Sequence, residues 1–141
     1  KDLSTLWKVQ QKDAYNARHP GKETEILRAN ALLALVMQAS DVSHTMQQWA
    51  VYKKWNQNWL RECEVAYKAG RSSDVAEAPH VNWAKGELGF FDFYVIPLTR
   101  KLREVGCSDV DYLSSAVQNK SQWLSNGAAV LGEMMEHKSS W

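Results

Sequence analysis

From Ile26 to Met37 the chain leaves itself almost no polar face, because Ile26, Leu27, Leu32, Leu33, Leu35, Val36 and Met37 point in nearly every direction a helix offers. A helix apolar nearly all round is one that other elements cover. The stretch therefore predicts a buried helix from about Glu23 to Ala39, with the rest of the fold built against it. The run stops at Ser40-Asp41-Val42-Ser43-His44-Thr45, which delivers Asp41 to an interior position.

Helical spacing resumes after that joint. Thr45 and Gln48 fit a capping box, with Ser43 or Asp41 as rival caps, for a helix from about Met46 to Ala69. Trp49, Tyr52, Trp59, Cys63 and Ala66 make its inward stripe. Gly70 suits its C-cap, and Lys68 and Arg71 suit the helix dipole. Arg71 to Pro79 is polar and aperiodic, and reads as a loop. Leu88, Phe91, Val95, Leu98, Leu102 and Val105 then place a helix over 83–105, closed by Gly106. Pro97 lies inside it, removes one backbone hydrogen bond and should kink it near Phe93.

A last helix, capped by Ser108 or Asp109, runs to about His137 with Leu113, Val117, Leu124, Leu131 and Met135 inward. Ahead of all these, Asp2 to Ala17 carries Leu3, Leu6, Trp7 and Val9 at loosely helical spacing, and Pro20-Gly21 stops it. No alternation of β-branched residues bounded by Asn-Gly turns occurs. The expected class is all-α, a helical bundle.

Charge excludes some functions. Seventeen Lys and Arg face sixteen Asp and Glu, for a net +1 with no run of one sign. That gives no electrostatic footprint for nucleic acid or an anionic membrane, though a small anionic ligand stays open. Cys63 and Cys107 are far apart and form no C-x-x-C pair, which favours two free thiols in a reducing compartment, hence the cytoplasm or the cytosolic part of a membrane protein. No signal peptide stands out, and no apolar run approaches the ~20 residues of a membrane span. A chain of 141 residues opening on Lys-Asp-Leu reads as part of a longer protein. Seven Trp bring large burial, and each brings one N–H that wants a partner.

Two stretches could carry chemistry. Asp41 reads either as a helix cap or as an interior carboxylate serving a metal or a proton transfer. His44 lies three residues on, but a catalytic metal site wants about three protein ligands. His19, His80 and His137 stand in or beside loops and termini, so spacing alone completes no metal site. In the second stretch, Lys85 to Leu98, Glu87 and Phe90 share a helix face. Gly86 and Gly89 each cost roughly 1 kcal/mol in a helix interior, which suggests close approach by a neighbour or a ligand. Tight packing of an ordinary amphipathic helix is the competing reading. No Ser/His/Asp triad, phosphate loop or H-E-x-x-H is present.

Together the two stretches resemble the C-terminal part of the class I 3',5'-cyclic nucleotide phosphodiesterase catalytic domain. That family has A-D-[IL]-S-[HN] after a hydrophobic helix, where this chain has Ala39-Ser40-Asp41-Val42-Ser43-His44. Its K-S-Q-[VI]-G-F-[IF]-D-[FY]-[IV]-[VI]-x-P corresponds to K-G-E-L-G-F-F-D-F-Y-V-I-P from Lys85 to Pro97. The likeness covers roughly residues 25 to 105 and implies an HD-type helical domain.

The resemblance implies metal-dependent hydrolysis of cGMP or cAMP to the 5'-monophosphate in signal transduction, by a zinc ion paired with magnesium or manganese bridging a hydroxide. Asp41 matches the family's second metal-binding Asp, and Phe90 the aromatic that stacks on the base. His44, Tyr52, Trp55, Asn56 and Trp59 match positions lining the pocket. Glu87 stands where the family has a Gln that binds the base edge. The general-acid histidine and the other metal ligands belong to family stretches N-terminal to anything here, so the chain carries no catalytic residue and the fragment alone should be inactive. Other domains of the same protein are expected upstream. A carboxylate only accepts hydrogen bonds, which favours guanine, with its N1–H and N2–H donors, over adenine. The rival to an enzyme fragment is a non-catalytic helical interaction or regulatory module.

Overall fold

The computed structural model describes residues 22–71, 77–106 and 111–136. Among those residues every regular element is helical and no strand occurs. The elements are α1 (Lys22–Asp41), a 3-10 turn (Ser43–Met46), α2 (Trp49–Lys68), a second 3-10 turn (Pro79–Asn82), α3 (Trp83–Phe90), a π-helical turn (Phe91–Val95), α4 (Ile96–Glu104) and α5 (Tyr112–Glu136). The helix expected over residues 2–17, together with His19, Cys107, Ser108, Asp109 and His137, lies outside the described residues.

The α5 helix is the hub: it packs against α2, α3, α4, the π turn and the first 3-10 turn. Tyr52, Leu60, Phe91, Val95, Leu98, Leu102, Ala116, Trp123, Val130 and Met134 fill the space between them. The stripe read over 83–105 meets this core, with Phe91, Val95, Leu98 and Leu102 buried. Pro97 comes just after a change in helix winding. Having no N–H to offer the carbonyl of Phe93, it sits in the first turn of α4, where no donor is needed. The turn ahead of it widens to a π turn, in which Ile96 N–H reaches back to the carbonyl of Phe91.

Ends and faces differ elsewhere from the expectation. The α2 helix starts at Trp49, not Met46, and no side chain caps it. Thr45 instead donates its hydroxyl to the carbonyl of Val42 at 2.6 Å, closing the 3-10 turn. Asn119 of α5 donates its amide to the carbonyls of Thr45 (2.9 Å) and Gln47 (2.8 Å). These tertiary bonds hold the joint where a local cap was expected. At the other end, Gly70 takes φ +66°. Arg71 N–H meets the carbonyl of Ala66, and Gly70 N–H that of Tyr67, the paired bonds of a Schellman stop. Asp111 caps α5 by accepting from Ser114 N–H at 3.0 Å.

The inward face of α2 is Tyr52, Asn56, Leu60 and Glu64, while Trp59 is exposed. That of α5 is Ala116, Asn119, Trp123, Gly127, Val130 and Met134, with Val117 exposed and Leu124 71% exposed. Both faces are turned by about one residue from the apolar stripes because the buried positions include bonded polar groups and a glycine. Gly86 and Gly89 meet no neighbouring atom within 4 Å where a Cβ would stand. The close approach falls at Gly127, whose Cβ would lie 3.3 Å from that of Ala84 on α3.

The largest departure is α1. Ala31 and Leu35 are buried, but Ile26 (60%), Leu33 (60%) and Met37 (57%) are exposed. Among the described elements its chief neighbour is α4. Asp41, its last residue, is likewise exposed rather than interior. No described helix is long and apolar enough to cross a membrane.

Candidate functional site

A groove of about 1350 Å³ opens between the first 3-10 turn, α2 and α3. His44 and Thr45 come from the turn, Trp55, Asn56, Trp59 and Cys63 from α2, and Glu87 and Phe90 from α3. Helical spacing explains the wall: Trp55 and Trp59 stand one turn apart on the side of α2 away from its buried face, and Glu87 and Phe90 one short turn apart on α3. Six residues singled out in the sequence thus converge: His44, Trp55, Asn56, Trp59, Glu87 and Phe90.

Two do not line it. Asp41 is exposed at the end of α1 and is not among the residues lining the groove. Tyr52 is fully buried, one layer behind the wall. Its ring meets Phe91 edge-on with centroids 5.5 Å apart, and Trp49 lies against both Tyr52 and Trp123.

The Tyr52 hydroxyl is the centre of a hydrogen-bond network. Trp123 Nε1 donates to it at 2.5 Å, and Asn56 Nδ2 at 3.3 Å. A phenol has one proton, and with two N–H groups pointing at its oxygen that proton goes to Glu87 Oε2, at 2.5 Å. Asn56 is set by Trp83, whose Nε1 donates to Asn56 Oδ1 at 2.8 Å. Burial raises the Glu87 carboxyl above the usual value near 4.5, while hydrogen bonds from Tyr52 and Asn56 pull it back. Burial, then the neighbouring Glu87 charge, push the Tyr52 phenol far up, so it stays a donor.

The rest of the wall mixes aromatic and neutral side chains with the charged Arg61, Glu62 and Arg71. Phe90 stacks on Tyr94 with centroids 5.4 Å apart and planes within 9°, which braces its ring. His44 lies 6.5 Å from the ring of Trp55, and burial lowers its pKa and favours the neutral imidazole. Burial, then Glu62 and Glu64, raise the Cys63 thiol, which disfavours the reactive thiolate. At the far end of α2, the almost fully buried Glu64 carboxylate takes the backbone N–H of His80 at 3.2 Å and meets its Nδ1 at 2.7 Å. That pair ties down the turn which presents Trp83.

The described residues hold no cluster of three or more His, Cys, Asp or Glu able to bind a metal ion. A single exposed Asp41 does not fit a metal centre by itself. Trp83, Trp123, Glu64 and Asn119 are missed by motif reasoning. The usable signal is the Trp content, since each indole N–H needs an acceptor and two of them find theirs in this network.

Compared with known families, residues 1–117 match the 3'5'-cyclic nucleotide phosphodiesterase family, beyond both ends of the stretch 25–105. Among curated proteins, the chain is 26% identical over 112 residues to a rat dual specificity calcium/calmodulin-dependent 3',5'-cyclic nucleotide phosphodiesterase 1B, covering 72% of this chain and 21% of the relative. The Bos taurus protein of that name matches with the same identity and coverage. The Mus musculus protein is 26% identical over 98 residues, 66% of this chain and 18% of its own length. The chain therefore spans about a fifth of these relatives. No solved structure gives a significant match.

Proposed function

The chain belongs to the 3',5'-cyclic nucleotide phosphodiesterase family, and on that premise we propose that it forms the base-binding wall of a domain that hydrolyses cyclic nucleotides to 5'-monophosphates within a longer protein. The observation that carries this reading is the groove, where a half-buried carboxylate and a braced aromatic ring share one face of α3. Phe90 offers a flat apolar surface for a purine. Glu87 accepts hydrogen bonds from the base edge, and His44, Trp55, Asn56 and Trp59 enclose it. Tyr52 holds Glu87 from behind.

Glu87 gives the site a preference. With its Oε2 taken by Tyr52, the ionised carboxylate has acceptor capacity left for a ligand. Guanine presents two adjacent donors, N1–H and N2–H, whereas adenine presents the N6 amine beside an acceptor. The parent protein therefore favours cGMP. Asp41 would be one ligand of a two-metal centre, zinc with magnesium or manganese, whose other ligands and general-acid histidine would come from outside these residues. No catalytic step is derived from Asp41 alone.

The test is a longer protein that includes the residues upstream of Lys1. It should convert cyclic nucleotide to the 5'-monophosphate, and Asp41→Asn should lower kcat/KM at least about a hundredfold, the scale on which metal sites respond to lost support. Failure of the metal-supplied longer protein to turn over either nucleotide contradicts the activity. A cGMP/cAMP ratio of kcat/KM that does not move in Glu87→Gln contradicts the role of Glu87.

A further inference from the structure

Between the first 3-10 turn and α2 the backbone leaves the helical ladder. Gln47 is extended at φ −96° and ψ 175°, and Gln48 follows at φ −55° and ψ 145°. The bonds of the turn end with Gln47 N–H on the carbonyl of His44, and those of α2 begin at the carbonyl of Gln48. No side chain caps the start of either element, so no local bond fixes the angle between them. Asn119 of α5 spans the joint instead. The residue is 1% exposed, and its NH2 group donates to the carbonyls of Thr45 and Gln47 at 2.9 and 2.8 Å. An amide nitrogen has two hydrogens, and both are spent here, whereas a hydroxyl has one to give and a carboxylate none. Next along α5, Lys120 pairs with Asp92 of the π turn, but that pair is part-exposed and such pairs hold little. The buried clamp outweighs it.

Both sides of the joint face the groove. The turn supplies His44 and Thr45, and α2 supplies Trp55, Asn56 and Trp59. The rings of His44 and Trp55, one from each side, lie 6.5 Å apart. Ala116, Trp123 and Val130 are buried along α5, so Asn119 ties the joint to the hub of the fold. We propose that Asn119 is a positioning residue for nucleotide binding, which sets the angle at which α2 leaves the turn and thereby the fit of His44, Trp55 and Asn56 around one ligand. This rests on the reading above that the groove takes a cyclic nucleotide. It does not rest on how the base edge is read. Glu87 and Phe90 belong to α3, which meets α5 elsewhere, where Ala84 faces Gly127. The clamp therefore governs how tightly either nucleotide is held, and not which of the two.

The experiment measures kcat and KM for cGMP and cAMP in the full-length phosphodiesterase carrying this chain and in its Asn119→Ser, Asn119→Asp and Val130→Ala variants. Val130 is buried about three turns farther along the same helix, so its variant reports what loss of packing alone does. Asn119→Ser keeps one donor on a shorter arm, and Asn119→Asp keeps the shape with none. Each should raise KM about tenfold for both nucleotides, the scale of a small misplacement of binding groups, with kcat near that of the parent and the cGMP/cAMP ratio of kcat/KM unchanged. Val130→Ala should lower the urea midpoint while leaving KM in place. The milder Asn119→Ser decides the matter where Asn119→Asp does not fold. The proposal is overturned if Asn119→Ser keeps the parent KM, or if Val130→Ala raises KM as much, because Asn119 then only packs. A shifted cGMP/cAMP ratio in the Asn119 variants also overturns it, since the clamp would then act on α3. A parent protein that turns over neither nucleotide removes the reading of the groove, and this inference with it.

Discussion

The α1 helix and the cluster around Tyr52 invert each other. Along α1 large apolar side chains stand exposed. Around Tyr52 an amide, a carboxylate, a phenol and two indoles are packed inside the molecule, each with a partner. Burial follows the availability of a complementary neighbour rather than the hydropathy of the segment itself. Among the described elements the main neighbour of α1 is α4, while Asn56 and Tyr52 are surrounded by α3 and α5 with their hydrogen bonds already matched.

Tyr52→Phe would break the contrast most sharply. It leaves Trp123 Nε1–H without its acceptor and Glu87 without its donor, at an expected cost of about 4 kcal/mol, the sum of two unsatisfied buried groups. Urea denaturation of the chain measures it, and a loss below about 1 kcal/mol would show that the network relaxes around the missing oxygen. Within α1, Leu35→Ala should cost about 2–3 kcal/mol and Leu33→Ala less than about 0.5, because only Leu35 is buried. Equal losses at the two positions would mean that the outer face of α1 is covered in solution.

The smallest effect is a slope with pH. Burial holds the folded pKa of Glu87 above its unfolded value, so the folded state binds more protons in that window. The contribution is fully present below the unfolded value near 4.5 and is lost as pH rises through the raised folded value. Glu87→Gln should remove that decline, as a series of urea midpoints across pH will reveal. An unaltered slope would place the titration elsewhere.

What could be read in advance follows from the kind of residue involved. The face of the π turn and α4 was legible because Phe91, Val95, Leu98 and Leu102 are apolar and helically spaced. The faces of α2 and α5 were not, because Asn56, Glu64, Asn119 and Gly127 carry no apolar signal and their partners are distant in the chain. Asn119, for one, bonds the carbonyl of Thr45 across 74 positions. Helix α1 misleads for the opposite reason: apolar content says that a surface needs covering, not that nearby residues cover it. In the groove, Glu87 and Phe90 were legible from their shared helix face. The resemblance sets Tyr52 on the pocket wall, and only the packing of Trp123 and Phe91 against it shows that it stands a layer behind.

The π turn at Phe91–Val95 has a geometric consequence. One residue inserted into an α-helix rotates everything on one side of it by about 100° relative to the other. Pro97 and the wide turn before it therefore act as a phase offset between two halves of one continuous rod. The lower half keys Leu98 and Leu102 into the core, and the upper half aims Glu87 and Phe90 at the groove. Rewinding that turn to regular α geometry would leave the sequence of both motifs intact and point the groove face in another direction.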